Sequence, residues 1–583
     1  MSFKVILPSR EKKKIPLTFF DKFTSFAFRL FSRPATRFTR SIPTLRDEIL
    51  KSNLRITPEG LISVAFFSAF ITLVASAVGT YVAAVRFGAL WFLGVIIAIP
   101  AAIMIFTIVI NGPKISASNR ASSINGELPF VIGYMSVLAG GGVSPLTTLR
   151  RISQMKLFPA SAKEAKRILV EVDVFGQDPI SAIERVARWC PSKKFSEFLY
   201  GYTAILKSGG DFIAYVGMKL RDTMEAKTNA VKRSADTTGT LAEAYLTVTV
   251  ILGMVLYTLY MVQTLMSNNL SGLNNLYLFA FVMVPVISAM FIWLIDAVQP
   301  KWPYVDYRPY KYFIYSIPLA MVFFFLTHFI TAPSLHLPLY LFESVSGTLI
   351  VGASLPAIKA IGFSRERTSL EKMLPEFIRD VAEGRKTGLS PEVAIERLGG
   401  RHYGVLSKHV RKMGAQLSWG VSLSKVISTF TDAVGSWVTR AIGTLLIEVV
   451  DVGGGTIRSF SEMAEFTRSI NEMESDRRAA LKPFVYITYI AGIMVVVTTF
   501  IMVYLLSAPA LGGATTSSAT PKVAGATIDL LLTTAVFDSF VIGIVAGKMG
   551  ESGLSDGFKH AIMLVVVSLI AIALAHYVMH FAL

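Results

Sequence analysis

Asp538, Asp529 and Glu343 lie within or at the ends of long apolar stretches. His576 and His580 stand four residues apart, and Gly547-Lys548 is the nearest approach to a phosphate-binding turn. Histidines at i and i+4 share a helix face and could hold a metal, but no carboxylate or third His is close to them in sequence. A phosphate loop ends in Gly-Lys-Ser/Thr after a strand, whereas Lys548 is followed by Met549. Gly-x-Ser-x-Gly, the zincin histidine pair and paired zinc-type cysteines are missing from the sequence. The expectation is a non-enzymatic protein with no cofactor and no metal. Asp538 is the residue to test first, because an ionisable group in lipid is costly and by default marks a functional contact, while Asp529 and Glu343 sit nearer span ends.

The elements that carry these residues follow from composition. Of 583 residues 53% are hydrophobic and 16% charged, and mean hydropathy is +0.55, which excludes a string of soluble domains, a secreted scaffold and a disordered tail. One cysteine, Cys190, excludes an internal disulfide framework. Nine stretches are long and apolar enough to span a bilayer as helices: about 61–85, 88–111, 242–266, 276–298, 312–332, 338–361, 483–507, 526–548 and 560–581. The first begins near Leu61, so no cleavable secretory signal is expected.

Sidedness follows from the basic residues. With a cytoplasmic N-terminus, 55 of the 57 Lys and Arg fall inside, and only Arg86 and Lys522 fall outside. Nine spans then place the C-terminus outside. The chain divides into a basic cytoplasmic segment 1–60, spans 61–111, a polar domain 112–241, spans 242–361, a second polar domain 362–482 and spans 483–583. Within the first segment Phe19, Phe20, Phe23, Phe26, Leu30 and Phe31 alternate with Lys22, Arg29 and Arg33, as in an amphipathic helix lying on anionic lipid or packed on a neighbouring domain. Residues 508–525 read as a Gly/Ala/Ser/Thr-rich linker.

An internal repeat organises the polar domains. Leu128-Pro129-Phe130 through Gly142-Val143-Ser144-Pro145 to Arg151 aligns without a gap on Leu374-Pro375-Glu376 through Gly388-Leu389-Ser390-Pro391 to Arg397. Ser208-Gly209-Gly210-Asp211 then matches Gly453-Gly454-Gly455-Thr456, and each copy leads into an apolar span. Apolar residues recur at helical steps in both copies, and Gly-x-Ser-Pro reads as a helix stop followed by a capped start, so two helical bundles are expected. Gly209-Gly210 and Gly453-Gly454-Gly455 are candidates for close helix approach. Phe212 after Asp211 excludes a nucleotide-cyclase signature there.

Both domains are basic, by +7 and +3. Arg150 with Arg151, Lys163-Lys166-Arg167, Arg185-Arg188, Arg385 with Lys386, and Arg397 with Arg401 would attract anionic headgroups or an acidic partner protein. Nucleic acid is not expected, since no stacking platform accompanies the charge.

The tandem Leu-Pro, Gly-x-Ser-Pro and Gly-Gly segments resemble the domain of type II secretion system protein F, and the doubled arrangement is similar to its archaeal versions, above all the archaellum platform. Leu374 to Tyr403, Gly414-Ala415-Gln416-Leu417-Ser418-Trp419-Gly420 and Gly453-Gly454-Gly455 carry the likeness. The resemblance implies an all-α polytopic membrane platform that couples a cytoplasmic hexameric secretion ATPase to insertion of pilin-like subunits, either archaellins or those of an adhesive pilus. A homodimer is a further implied assembly. The reading of another class is a secondary transporter, suggested by Pro100 and Pro285 within spans and by Asp538. Repetition resides in the polar domains and not in the spans, which favours the platform.

Overall fold

Proline and glycine punctuate the polar segments and are overridden in the apolar ones, and this contrast sets the architecture. The computed structural model describes residues 19–54, 56–87, 91–267, 271–299, 308–331, 341–451, 455–507, 521–551 and 553–582. Among them the regular structure is entirely helical. Helices α1 (Phe19–Ser41), α2 (Leu45–Ser52) and α3 (Pro58–Phe87) lead to α4 (Trp91–Gly140). Four short helices follow: α5 (Pro145–Gln154), α6 (Pro159–Asp173), α7 (Pro179–Trp189) and α8 (Lys193–Ser208). Helix α9 (Phe212–Leu246) continues through a π-helical turn, Thr247–Leu252, into α10 (Gly253–Ser267).

After α11 (Ser271–Leu278), α12 (Val284–Val298) and α13 (Arg308–Phe325) the pattern recurs. A long α14 (Leu341–Lys386) is followed by short α15 (Pro391–Leu398), α16 (Leu406–Ser418), α17 (Leu423–Val434) and α18 (Trp437–Asp451), and then by long α19 (Ile457–Ser507). Helices α20 (Pro521–Glu551) and α21 (Gly557–Ala582) close the chain. Each repeat is thus one long helix in, four short helices and one long helix out.

Nine helices among the described residues are long and apolar enough to cross a membrane. Several of them are not separate elements: the apolar halves of α4, α14 and α19 run unbroken into polar halves, giving helices of 50, 46 and 51 residues. Proline does not end them, since Pro113, Pro375 and Pro483 all lie inside. No glycine stop stands at these junctions, so i to i−4 pairing propagates through them.

Two compact units form, each with its own core. One comprises the described residues up to Val131 together with Leu146–Tyr215, and the other Ile132–Pro145 together with Val216 onward. In the first, Phe130 stacks on Phe158 and Tyr202 meets Phe212 edge-on, with Ile168 and Phe195 buried alongside. Phe23, Phe31 and Phe38 of α1 pack on Phe66 and Phe67 of α3, and Phe66 on Phe106 of α4, while Phe26 and Leu30 stay 59% and 57% exposed. The aromatic face expected to meet lipid or a domain is therefore largely taken up by the first apolar helices.

In the second unit α20 is sandwiched between α19 and α21. A Cβ on Gly543 would stand 2.3 Å from Ala561 Cα, and one on Gly547 2.2 Å from Gly557 Cα, so the backbones of α20 and α21 touch where no side chain intervenes.

Candidate coupling surface of the two bundles

The repeated turn is built as its residue types dictate. Gly142 and Gly388 adopt φ of 77° and 85°, a region that penalises any residue with a Cβ, and so end α4 and α14. Val143 N donates to Leu138 O (3.1 Å) and Leu389 N to Gly384 O (3.2 Å), closing both helices alike. Pro145 and Pro391 then open α5 and α15, with Ser390 Oγ accepting from Val393 N at 3.3 Å. Gly209 has φ 67° and terminates α8, and Gly210 N donates to Ile205 O at 3.1 Å. A Cβ on Gly210 would meet only ordinary contacts, so this pair is a helix terminator and brings no helices together. Gly453 and Gly454 lie outside the described residues.

The basic residues singled out by sequence differ in what they do. Arg385 is committed to the fold: its guanidinium donates to Gly455 O (3.0 and 2.5 Å) and Leu389 O (2.5 Å), and the first copy has Ala139 at that place. Arg401 bonds Asp380 at 2.9 Å, and the Tyr403 hydroxyl donates to the same carboxylate at 2.6 Å. Asp380 is 8% exposed, and burial with this hydrogen bond pushes the Tyr403 phenol well above its usual range. The first copy has Tyr134 instead of Asp380, so the two bundles are not chemically equivalent there. Arg150 pairs with Asp173 (3.0 Å) and Lys386 with Glu383 (2.7 Å), exposed bridges worth about 0–1 kcal/mol each. Arg151 is half-buried, and Arg397 is exposed at the end of α15.

Each bundle also displays an apolar tip that sequence reading passed over. Between α6 and α7, Val174 and Phe175 are 72% and 66% exposed, and between α16 and α17 Trp419 is 86% exposed. Both tips precede a left-handed glycine, Gly176 (φ 66°) and Gly420 (φ 80°). The signal was present in sequence as an aromatic-Gly step at the same place in each copy.

The two copies are also tied together. Thr456, just ahead of α19, donates through Oγ1 to Gly140 O at the end of α4 (3.1 Å), and Gly133 leaves room for the Phe466 ring, which a Cβ would approach to 2.2 Å.

Within the apolar helices, Asp538 is 1% exposed and accepts from the Tyr257 hydroxyl, while its Oδ1 has no partner. Asp529 accepts from Leu341 N and Phe342 N (3.2 and 3.4 Å), capping α14. Glu343 is exposed on the first turn of α14. The side chains of His576 and His580 lie outside the described residues. Below the spans of the second unit, buried Glu371 is held by Arg367 and Arg478 (2.8 Å each) and by Ser436 (2.7 Å), and buried Glu474 by Arg477 (2.6 Å).

Comparison with known proteins accounts for the repeat. The family model for type II secretion system protein F matches residues 131–260 and again 377–504. An uncharacterized protein of Methanocaldococcus jannaschii is 22% identical over 501 residues, covering 79% of this chain and 82% of that protein. The Flagella accessory protein J of the same organism is 19% identical over 449 residues, covering 72% and 77%. No solved structure matches the chain. The two matches start the same distance apart as the repeated Gly-x-Ser-Pro turns, and this one chain is therefore a member of the type II secretion system protein F family that carries the domain twice in tandem.

Proposed function

We propose that the chain is the non-enzymatic membrane platform of an archaeal type IV pilus-like machine, serving archaellum assembly and motility. In this reading the two bundles face the cytoplasm and dock a hexameric secretion ATPase, and the apolar helices receive pilin-like filament subunits. The observation that carries it is the pair of exposed aromatic tips, Phe175 and Trp419, held at the same turn of both copies. Large exposed apolar side chains on a rigid turn are the residue types that dominate interface energetics. The family match and the likeness to a flagella accessory protein support the machine class. An adhesive pilus platform has the same parts, and a deletion strain separates the two by which filament it loses.

The test is co-purification from native membranes. Replacing Phe175 and Trp419 together with Ser is expected to reduce ATPase recovery about tenfold or more, as loss of ~2 kcal/mol hot-spot contacts implies. Undiminished recovery would sink the docking proposal. Arg397→Glu is the cleaner charge probe, because Arg401→Glu would also strip Asp380 of its partner.

A further inference from the structure

A cavity of 520 Å³ opens in the first unit between α2, α4, α6 and α7. Arg120, Lys163, Lys166, Arg167 and Arg185 line it. Beneath them lies Glu164, whose side chain is fully buried and bonded to both Arg120 and Arg167. Arg120 also donates to Lys51 O (2.8 Å) and Arg167 to Asn53 Oδ1 (2.6 Å). The two guanidiniums are therefore fixed before any ligand arrives, which removes part of the ordering cost of binding. Asn53 itself takes a left-handed conformation, φ 60°.

The charge is not balanced. Arg185 shares Glu171 (3.3 Å), while Lys163 and Lys166 are exposed and form no ion pair among the described residues. Against five cations stand Glu164 and Glu171, so three positive charges converge on a concavity of ligand size. A convex basic face would suit a protein partner, but a concave one with rigid guanidiniums and free ammonium groups suits a compact anion whose oxygens point several ways.

We propose that this cavity binds a phosphate-bearing anion, with Arg120 and Arg167 as its fixed floor and Lys163 and Lys166 closing over it. Two sources share that chemistry. Asn53 lies five residues before Pro58, where the first apolar helix begins, so a lipid headgroup can reach the cavity, as can a soluble phosphorylated molecule.

The experiment uses the full chain. Binding of pyrophosphate is measured in detergent, and binding of phosphatidic acid in nanodiscs against phosphatidylcholine alone. Saturable pyrophosphate binding identifies a soluble ligand, and a response to phosphatidic acid only identifies a headgroup; either supports the site. Lys163→Gln with Lys166→Gln should weaken the affinity about tenfold or more, since two charge-assisted hydrogen bonds are lost. Lys193→Gln with Lys194→Gln removes the same charge from α8, outside the cavity lining, and should change it less than about twofold. Equal weakening by both pairs, or no binding of either probe, overturns the proposal.

Discussion

Tyr257 and Asp538 are 281 positions apart and meet where neither has water to turn to. Tyr257→Phe leaves the carboxyl with no hydrogen-bond partner at either oxygen, and should cost about 1–3 kcal/mol, whereas Asp538→Asn retains an acceptor for the hydroxyl and should cost less than about 1.5 kcal/mol. Thermal unfolding of the detergent-solubilised protein distinguishes them. Sequence marked Asp538 as anomalous but could not find its partner, because nothing local links the tenth helix to the twentieth. Asp529 illustrates the reverse: it looks equally anomalous, yet it caps α14. Outside the spans, Asp556 is pushed up to about 7 by burial and by neighbouring Glu551. Its folded pKa exceeds the unfolded one, so the folded state binds the extra proton and stability falls as pH rises from about 4 to about 7. Asp556→Asn should flatten that slope, by an amount on the order of a few kcal/mol, in melting curves taken between pH 5 and 8.

At the scale of elements, the decisive contacts are those in which backbones or rings occupy the space of a missing side chain. Gly547→Leu must push α20 off α21 and should destabilise by about 1–3 kcal/mol or more, while Gly142→Ala, with open space around it, should cost only the ~1 kcal/mol of its backbone conformation. A proteolysis or melting comparison of the two variants checks the ranking. The Gly-x-Ser-Pro turns were legible because stop and start chemistry is local. The small-residue spacing of Gly543 and Gly547 was legible in principle, but nothing in it names Gly557 and Ala561 as partners. Arg385 was read as a docking residue on charge alone, and its carbonyl partners show that a positive residue near a turn can equally be a structural clamp.

For the whole molecule, the nine apolar stretches and the doubled bundle were readable from hydropathy and repetition, whereas the fusion of span and bundle into single helices was not, since a soluble half and an apolar half look like two elements. The sidedness inferred from Lys and Arg has a direct check. Cys190 is buried, and burial with nearby Glu164 pushes its thiol up to about 12, so a membrane-impermeant maleimide should leave it unlabelled. Phe175→Cys and Trp419→Cys should then label only from the cytoplasmic side in sealed vesicles. Labelling of the two from opposite sides would refute the platform reading.

The unbroken course of α19 carries one more implication. At 1.5 Å per residue its 51 residues make a rod of about 76 Å, with one end beside Thr456 and Gly140 and the other deep in the apolar stretch. A tilt of about 5° in such a rod sweeps its far end by about 7 Å, more than a helical pitch, without breaking a single backbone bond within it. Small angular work at the tethered end is thereby converted into a stroke comparable with the rise of one turn.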